Sequence, residues 1–113
     1  MRRIPFIAMV LLLLVSCADK SKAFMPERLL TEQEMIAVMT DVQILEADMN
    51  RRKADGKRID GMAESYYTQL FEHYGITDSI FSQNLRYYTE RPATLERIMD
   101  SVTQRLTRDQ AAK

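Results

Sequence analysis

The side chains able to do chemistry here are few. Cys17 is the only cysteine and His73 the only histidine. A zinc site draws on several Cys, His or carboxylate ligands, and an activated nucleophile needs a base beside it. His73 has neither a second histidine nor a cysteine to work with, and it reads as a protonatable group closing a helix, where the dipole favours a cation. Asp41 and Asp48 flank one stripe of a predicted helix. Two carboxylates suit acid–base work, but nothing nucleophilic accompanies them, and a salt bridge or a solvated helix border is the better explanation. The glycines Gly56, Gly61 and Gly75 stand alone, so they form no phosphate-cradling loop. Neither G-x-S-x-G nor H-E-x-x-H occurs. These residues predict a protein that is not an enzyme, with no metal and no cofactor.

Cys17 gains its meaning from what precedes it. Arg2 and Arg3 give a short positive start, and residues 6–15 are an unbroken apolar run. That is the layout of an export signal. The run is too short for a membrane span, which needs about 20 apolar residues. Leu14-Val15-Ser16-Cys17 resembles the lipobox of a bacterial lipoprotein. The resemblance implies cleavage after Ser16, a diacylglyceryl thioether on Cys17 and acylation of the new amino group. An ordinary secretory signal with an incidental cysteine is the alternative. A single acyl chain holds a protein only marginally, whereas two or more anchor it firmly.

Composition narrows the rest. The chain carries 16 basic and 16 acidic residues. Arg2 and Arg3 leave with the signal, so the mature part has 14 basic residues against 16 acidic, which is no electrostatic footprint for nucleic acid. One small domain is expected at this length. The lone cysteine leaves no disulfide, and the absence of Trp with only 3 Gly argues against a β-sandwich or barrel.

The elements that must position any site are helices. Thr31 with Glu34 three residues later forms a capping box. Met35, Val38, Val42, Leu45 and Met49 then make one apolar stripe on a helix of about 20 residues. Residues 51–61, broken by Gly56 and Gly61, read as a linker. Its cations Arg51, Arg52, Lys53, Lys57 and Arg58 suit anionic headgroups or a plain solvated loop. A second helix is predicted over residues 62–74, with Ala63, Tyr67, Leu70 and Tyr74 on one face and Tyr66 and Phe71 beside it. Gly75 is placed to end it. Thr77 caps a third helix ending near Thr89, with Phe81, Leu85 and Tyr88 inward, and Ile76 and Phe81 are spaced for a hydrophobic staple. Pro92 suits the first turn of a fourth helix, whose stripe is Leu95, Ile98 or Met99, Val102 and Leu106. From Thr107 the pattern is lost and the chain should fray. The expectation is therefore all-α, a small bundle of about four helices behind a cleaved lipoprotein signal peptide. Its parts are a signal over residues 1–16, a polar tether over 17–26, a helical domain over 27–107 and a frayed tail over 108–113. A flexible tether of this length reaches about 15–18 Å, and short connections favour antiparallel neighbours.

From Met25 onward the sequence resembles the Bacteroidota lipoprotein family built on domain of unknown function 4296. The resemblance rests on Pro26, on Leu29-Leu30, on Asp41 and Glu46, and more firmly on Tyr74-Gly75-Ile76-Thr77, Phe81, Leu85 with Tyr87-Tyr88, and Pro92 with Ile98. Asn84 departs from the pattern where a serine is usual, and Arg91 where an asparagine often precedes the proline. The resemblance implies a fold and a location but no activity. A fainter similarity links the Tyr-Gly-Ile-Thr turn to joints between short helices in periplasmic folding factors, and a shared joint does not imply a shared function.

These readings lead to a membrane-tethered interaction or accessory module, with no cofactor beyond covalent lipid on Cys17. Its expected partners are the membrane and an envelope protein, not nucleic acid. Ala18-Asp19-Lys20-Ser21 does not resemble the acidic surface-export signal of Bacteroidota lipoproteins, which favours the periplasmic face of the outer membrane. Six methionines follow Cys17, three of them on the first helix (Met35, Met39 and Met49), and methionine faces adapt to partners or fill awkward cores. The candidate interaction surface comprises Tyr66, Tyr67, Tyr74, Tyr87 and Tyr88 with Asp41 and Glu46, since tyrosine combines rigid area with a polar handle. The alternative is a chaperone-like binder of unfolded or extended polypeptide, using a groove lined by those methionines and tyrosines.

Overall fold

The structure, a computed structural model, describes residues 24–111. The signal, the lipobox residues Leu14, Val15, Ser16 and Cys17, and the first part of the tether lie outside the described residues. Four helices follow one another: α1 (Glu32–Ala54), α2 (Met62–His73), α3 (Asp78–Thr89) and α4 (Pro92–Ala111). No strand occurs among the described residues, and no helix there is long and apolar enough to cross a membrane. The all-α expectation holds.

Local chemistry sets most of the boundaries. Thr31 Oγ1 accepts the Glu34 N–H at 3.1 Å, and the Glu34 carboxylate returns a bond to the Thr31 N–H, completing the capping box. Thr77 caps α3 by accepting the Ile80 N–H. Pro92 opens α4, where no N–H is needed. Between α2 and α3, Gly75 has φ of 68°. Its N–H donates to the Glu72 carbonyl at 2.9 Å, and the Ile76 N–H donates to the Phe71 carbonyl at 3.0 Å. This pair of bonds is the Schellman motif, with Ile76 and Phe71 as its buried apolar contact.

Two boundaries differ from the sequence expectation. Arg51, Arg52 and Lys53 are not linker but the last turn of α1. Asp48 one turn earlier draws two of them in, pairing with Arg51 at 2.9 Å and Arg52 at 3.0 Å, and the cations also suit the helix C-terminus. Residues 108–111 are not a frayed tail but continue α4. The apolar stripe ends near Leu106, yet good helix formers carry the backbone on, and the Thr107 hydroxyl bonds back to the Thr103 carbonyl.

The core joins all four helices and the segment before α1. Met35, Val38 and Val42 of α1 meet Phe71 of α2, Phe81 and Tyr88 of α3, and Ile98 and Val102 of α4. Ile36 and Met39 are buried too, beyond the single predicted stripe. The reason is that α1 is covered on two sides, by α2 and by α4. The α1–α2 hairpin is antiparallel, because Glu46 reaches Tyr67 and Asp41 reaches Tyr74. In contrast, α4 runs parallel to α1. Glu32 pairs with Arg97 at 2.7 Å near the starts of the two helices, while Asp41 and Arg105 share one cleft some two turns further along both.

The segment over residues 24–31 is a strap bound along α3. Pro26 and Leu30 are buried. The Leu30 N–H donates to Asn84 Oδ1 at 2.8 Å, Asn84 Nδ2 donates to the Arg28 and Ile80 carbonyls at 2.8 Å each, and the Tyr88 hydroxyl donates to the Leu30 carbonyl. Residues 24–26, assigned to a polar tether from sequence, thus belong to the folded domain.

Candidate functional site

The helices position the seven candidate surface residues in three different ways. Asp41 and Glu46, five residues apart on α1, face the antiparallel α2 and the residue just past its end. Tyr67 donates its hydroxyl to Glu46 Oε1 at 2.9 Å. Tyr74 donates its hydroxyl to Asp41 Oδ2, with the Ala37 carbonyl a second acceptor at 3.3 Å. These four residues form two rungs between helices. Tyr66 lies with the Arg52 guanidinium 5.9 Å from its ring. Tyr87 and Tyr88 sit on α3 with rings edge to face at 5.0 Å. Tyr88 is core, and Tyr87 lies under the Arg91 guanidinium at 3.6 Å. One continuous aromatic surface is therefore not what the fold assembles.

Neither do the three methionines of α1 line a groove. Met35, Met39 and Met49 are all buried. His73 is exposed at the end of α2, edge-on to Tyr74 at 5.1 Å. Asp48 is engaged in its two arginine pairs. The hydrogen bond from Arg52 holds its carboxyl below the usual range.

What the fold does build is a polar cleft of about 380 Å³ around the Asp41–Tyr74 rung. Its α1 wall is Ala37, Thr40 and Asp41, and Tyr74 stands at its edge. The α4 wall is Arg105, Arg108 and Asp109. Burial, reinforced by the bond to Asp41, pushes the Tyr74 phenol up to about 12, and Arg105 pulls weakly the other way. Such a phenol stays protonated at neutral pH and donates its hydrogen bond to Asp41. Among the described residues neither Arg105 nor Arg108 forms an ion pair. Their guanidiniums present planar donors suited to carboxylates.

Sequence reasoning missed this α4 wall. Arg105 lies just before the point where the apolar pattern fails, and Arg108 and Asp109 lie beyond it. The available signal is the i, i+3 spacing of Arg105 and Arg108, which sets two cations on one helix face. Asn84 was missed as well, because a polar residue in a short amphipathic helix reads as surface. It is instead fully buried, at 0 % exposure.

A family comparison agrees with the boundaries seen in the fold. The family model described as domain of unknown function DUF4296 matches residues 26–112. The chain belongs to the DUF4296 family. The DUF4296 match starts at the buried Pro26 and includes all of α4, so it takes in the strap from Pro26 onward and the cleft's arginines. No curated protein and no solved structure matches the chain.

Proposed function

We propose that this DUF4296 protein is a non-enzymatic lipoprotein of the bacterial cell envelope, of the Bacteroidota type. In this reading Cys17 carries the lipid, the domain stands at the periplasmic face of the outer membrane, and it docks a protein partner. The observation that supports it best is the cleft between α1 and α4. Small-molecule sites are mostly apolar with a few polar groups, whereas four of the seven residues lining this cleft are charged. Both signs are present, Asp41 on α1, where the Tyr74 hydroxyl holds it, and Arg105, Arg108 and Asp109 on α4. That arrangement suits a charged stretch of a partner protein, whose carboxylates would meet Arg105 and Arg108 and whose cations would meet Asp109. Tyr74, held by its bond to Asp41, stands fixed at the cleft's edge. The reading as a binder of unfolded polypeptide draws less support, because Met35, Met39 and Met49, the three methionines of α1, are buried in the core.

The test is crosslinking in intact cells, then purification of the lipidated protein and mass spectrometry. One reproducible envelope partner, lost when Arg105→Glu and Arg108→Glu are combined, supports the docking role. A broad set of unrelated exported proteins, indifferent to those substitutions, refutes it and favours the chaperone-like role. Cys17→Ser tests the anchor separately: release to the soluble fraction or an unprocessed precursor is expected, and unchanged processing with unchanged membrane association would sink it.

A further inference from the structure

The Phe24 ring lies 4.1 Å from the Arg86 guanidinium of α3. Two residues on, Pro26 is buried, and the Glu27 N–H donates to Gln83 Oε1 at 2.8 Å. Asn84 and Tyr88 then hold Leu30. The strap is thus tied to α3 over its whole length, and its outer side is set by the same bonds. On that side Met25 is 66 % exposed and Leu29 43 % exposed, two of the four large apolar side chains that are exposed among the described residues. The exposed cations are Arg28, which also donates to the Gly75 carbonyl at 3.0 Å, and Arg86, which also pairs with Glu90 at 3.9 Å, and Glu27 is the strap's single acidic residue.

We propose that this outer edge of the strap, Met25 and Leu29 with Arg28 and Arg86, rests on the bilayer in which Cys17 is anchored. The domain is thereby oriented with α3 towards the lipid. The inference rests on the anchor proposed above. Chain length selects the occupant. Seven residue steps separate Cys17 from Phe24, which at full extension span at most about 25 Å. The headgroup layer is therefore the one surface always within reach of Met25. Apolar side chains together with cations also match its chemistry, an acyl boundary beneath anionic headgroups.

The experiment uses the full lipidated chain in vesicles of phosphatidylethanolamine with phosphatidylglycerol. Met25→Cys, Leu29→Cys and Met62→Cys are each labelled with an environment-sensitive fluorophore, Cys17 being blocked by its lipid. Met62 is an exposed apolar control at the far end of α2, about 18 Å from Tyr74 along the helix axis. Spin-labelled lipid should quench positions 25 and 29 several-fold more than position 62, and Arg28→Glu with Arg86→Glu should reduce that difference. Equal quenching at the three positions, with mass spectrometry confirming lipid on Cys17, overturns the orientation and leaves the anchor standing. Protection of positions 25 and 29 that tracks protein concentration and ignores the lipid overturns it in favour of a second copy. A Cys17 without lipid overturns the anchor itself, and the orientation with it.

Discussion

Asn84 holds the backbone of Leu30 from 54 positions away in the sequence, its Oδ1 accepting the Leu30 N–H at 2.8 Å inside the core. One turn later on α3, Tyr88 takes the Leu30 carbonyl. A short extended segment normally finds its partners on a neighbouring strand. Here a helix supplies them through two side chains at i and i+4, which share a face. All of the Asn84 amide's donors and its acceptor are used, and among the described residues no buried side-chain polar atom lacks a partner. Asn84→Ala leaves the Leu30 N–H buried without an acceptor, at a cost of about 1–3 kcal/mol. Urea denaturation should show a lower midpoint with an unchanged slope. Trypsin should also cut faster after Arg28, because the strap is the segment released. Wild-type cleavage rates at Arg28 in the variant would contradict the clip.

Gly75 makes a second demand on the chain. Its φ of 68° is in the left-handed region, and a Cβ there would meet only Arg28 Nη1 at 3.9 Å, an ordinary contact. The penalty for Gly75→Ala is therefore conformational and not steric, about 1–2 kcal/mol. Gly75→Asn should cost less, since asparagine tolerates this conformation better. Equal losses for the two variants, read from thermal or urea unfolding, would mean that crowding and not φ decides the position.

Met35 tests whether the methionines belong to the core or to a partner. It is fully buried, at 0 % exposure. Met35→Ala should cost about 2–5 kcal/mol, whereas Met35→Leu, which nearly conserves volume, should cost less than about 1.5 kcal/mol. A methionine serving only a partner would show neither loss in the isolated domain.

The features legible in the sequence are those whose chemistry is local. Thr31 with Glu34, Thr77, Gly75 and Pro92 each act within a few residues, and each sits where its type predicts. The apolar stripes give the right helices for the same reason. What stays hidden depends on pairing across the chain. The Asp41–Tyr74 and Glu46–Tyr67 rungs need the register of the α1–α2 hairpin, although all four residues stand out singly. The parallel pairing of α1 with α4 needs α3 to carry the chain back, which no loop length announces. Asn84 looks like surface until the strap covers it. Arg105 and Arg108 sit where periodicity fades, and a periodicity argument gives no reason to look there.

Tyr74 carries the pH prediction. Its folded value, about 12, is raised above the ordinary phenol value of 10.0 by burial and then by the bond to Asp41. Between those two values the unfolded chain releases this proton while the folded chain keeps it. The folded state then binds more protons, so stability falls as pH rises. The contribution is fully present below about pH 10 and is lost as pH climbs through about 12. Tyr74→Phe removes the hydroxyl and should flatten this part of the stability curve. Tyr67 and Tyr88 are also raised, chiefly by burial, so the alkaline fall persists in part in the variant. An ultraviolet difference titration between wild type and Tyr74→Phe isolates the one tyrosine. It should ionise near 12, and a difference curve centred on 10 would show that the Asp41 bond does not hold in solution.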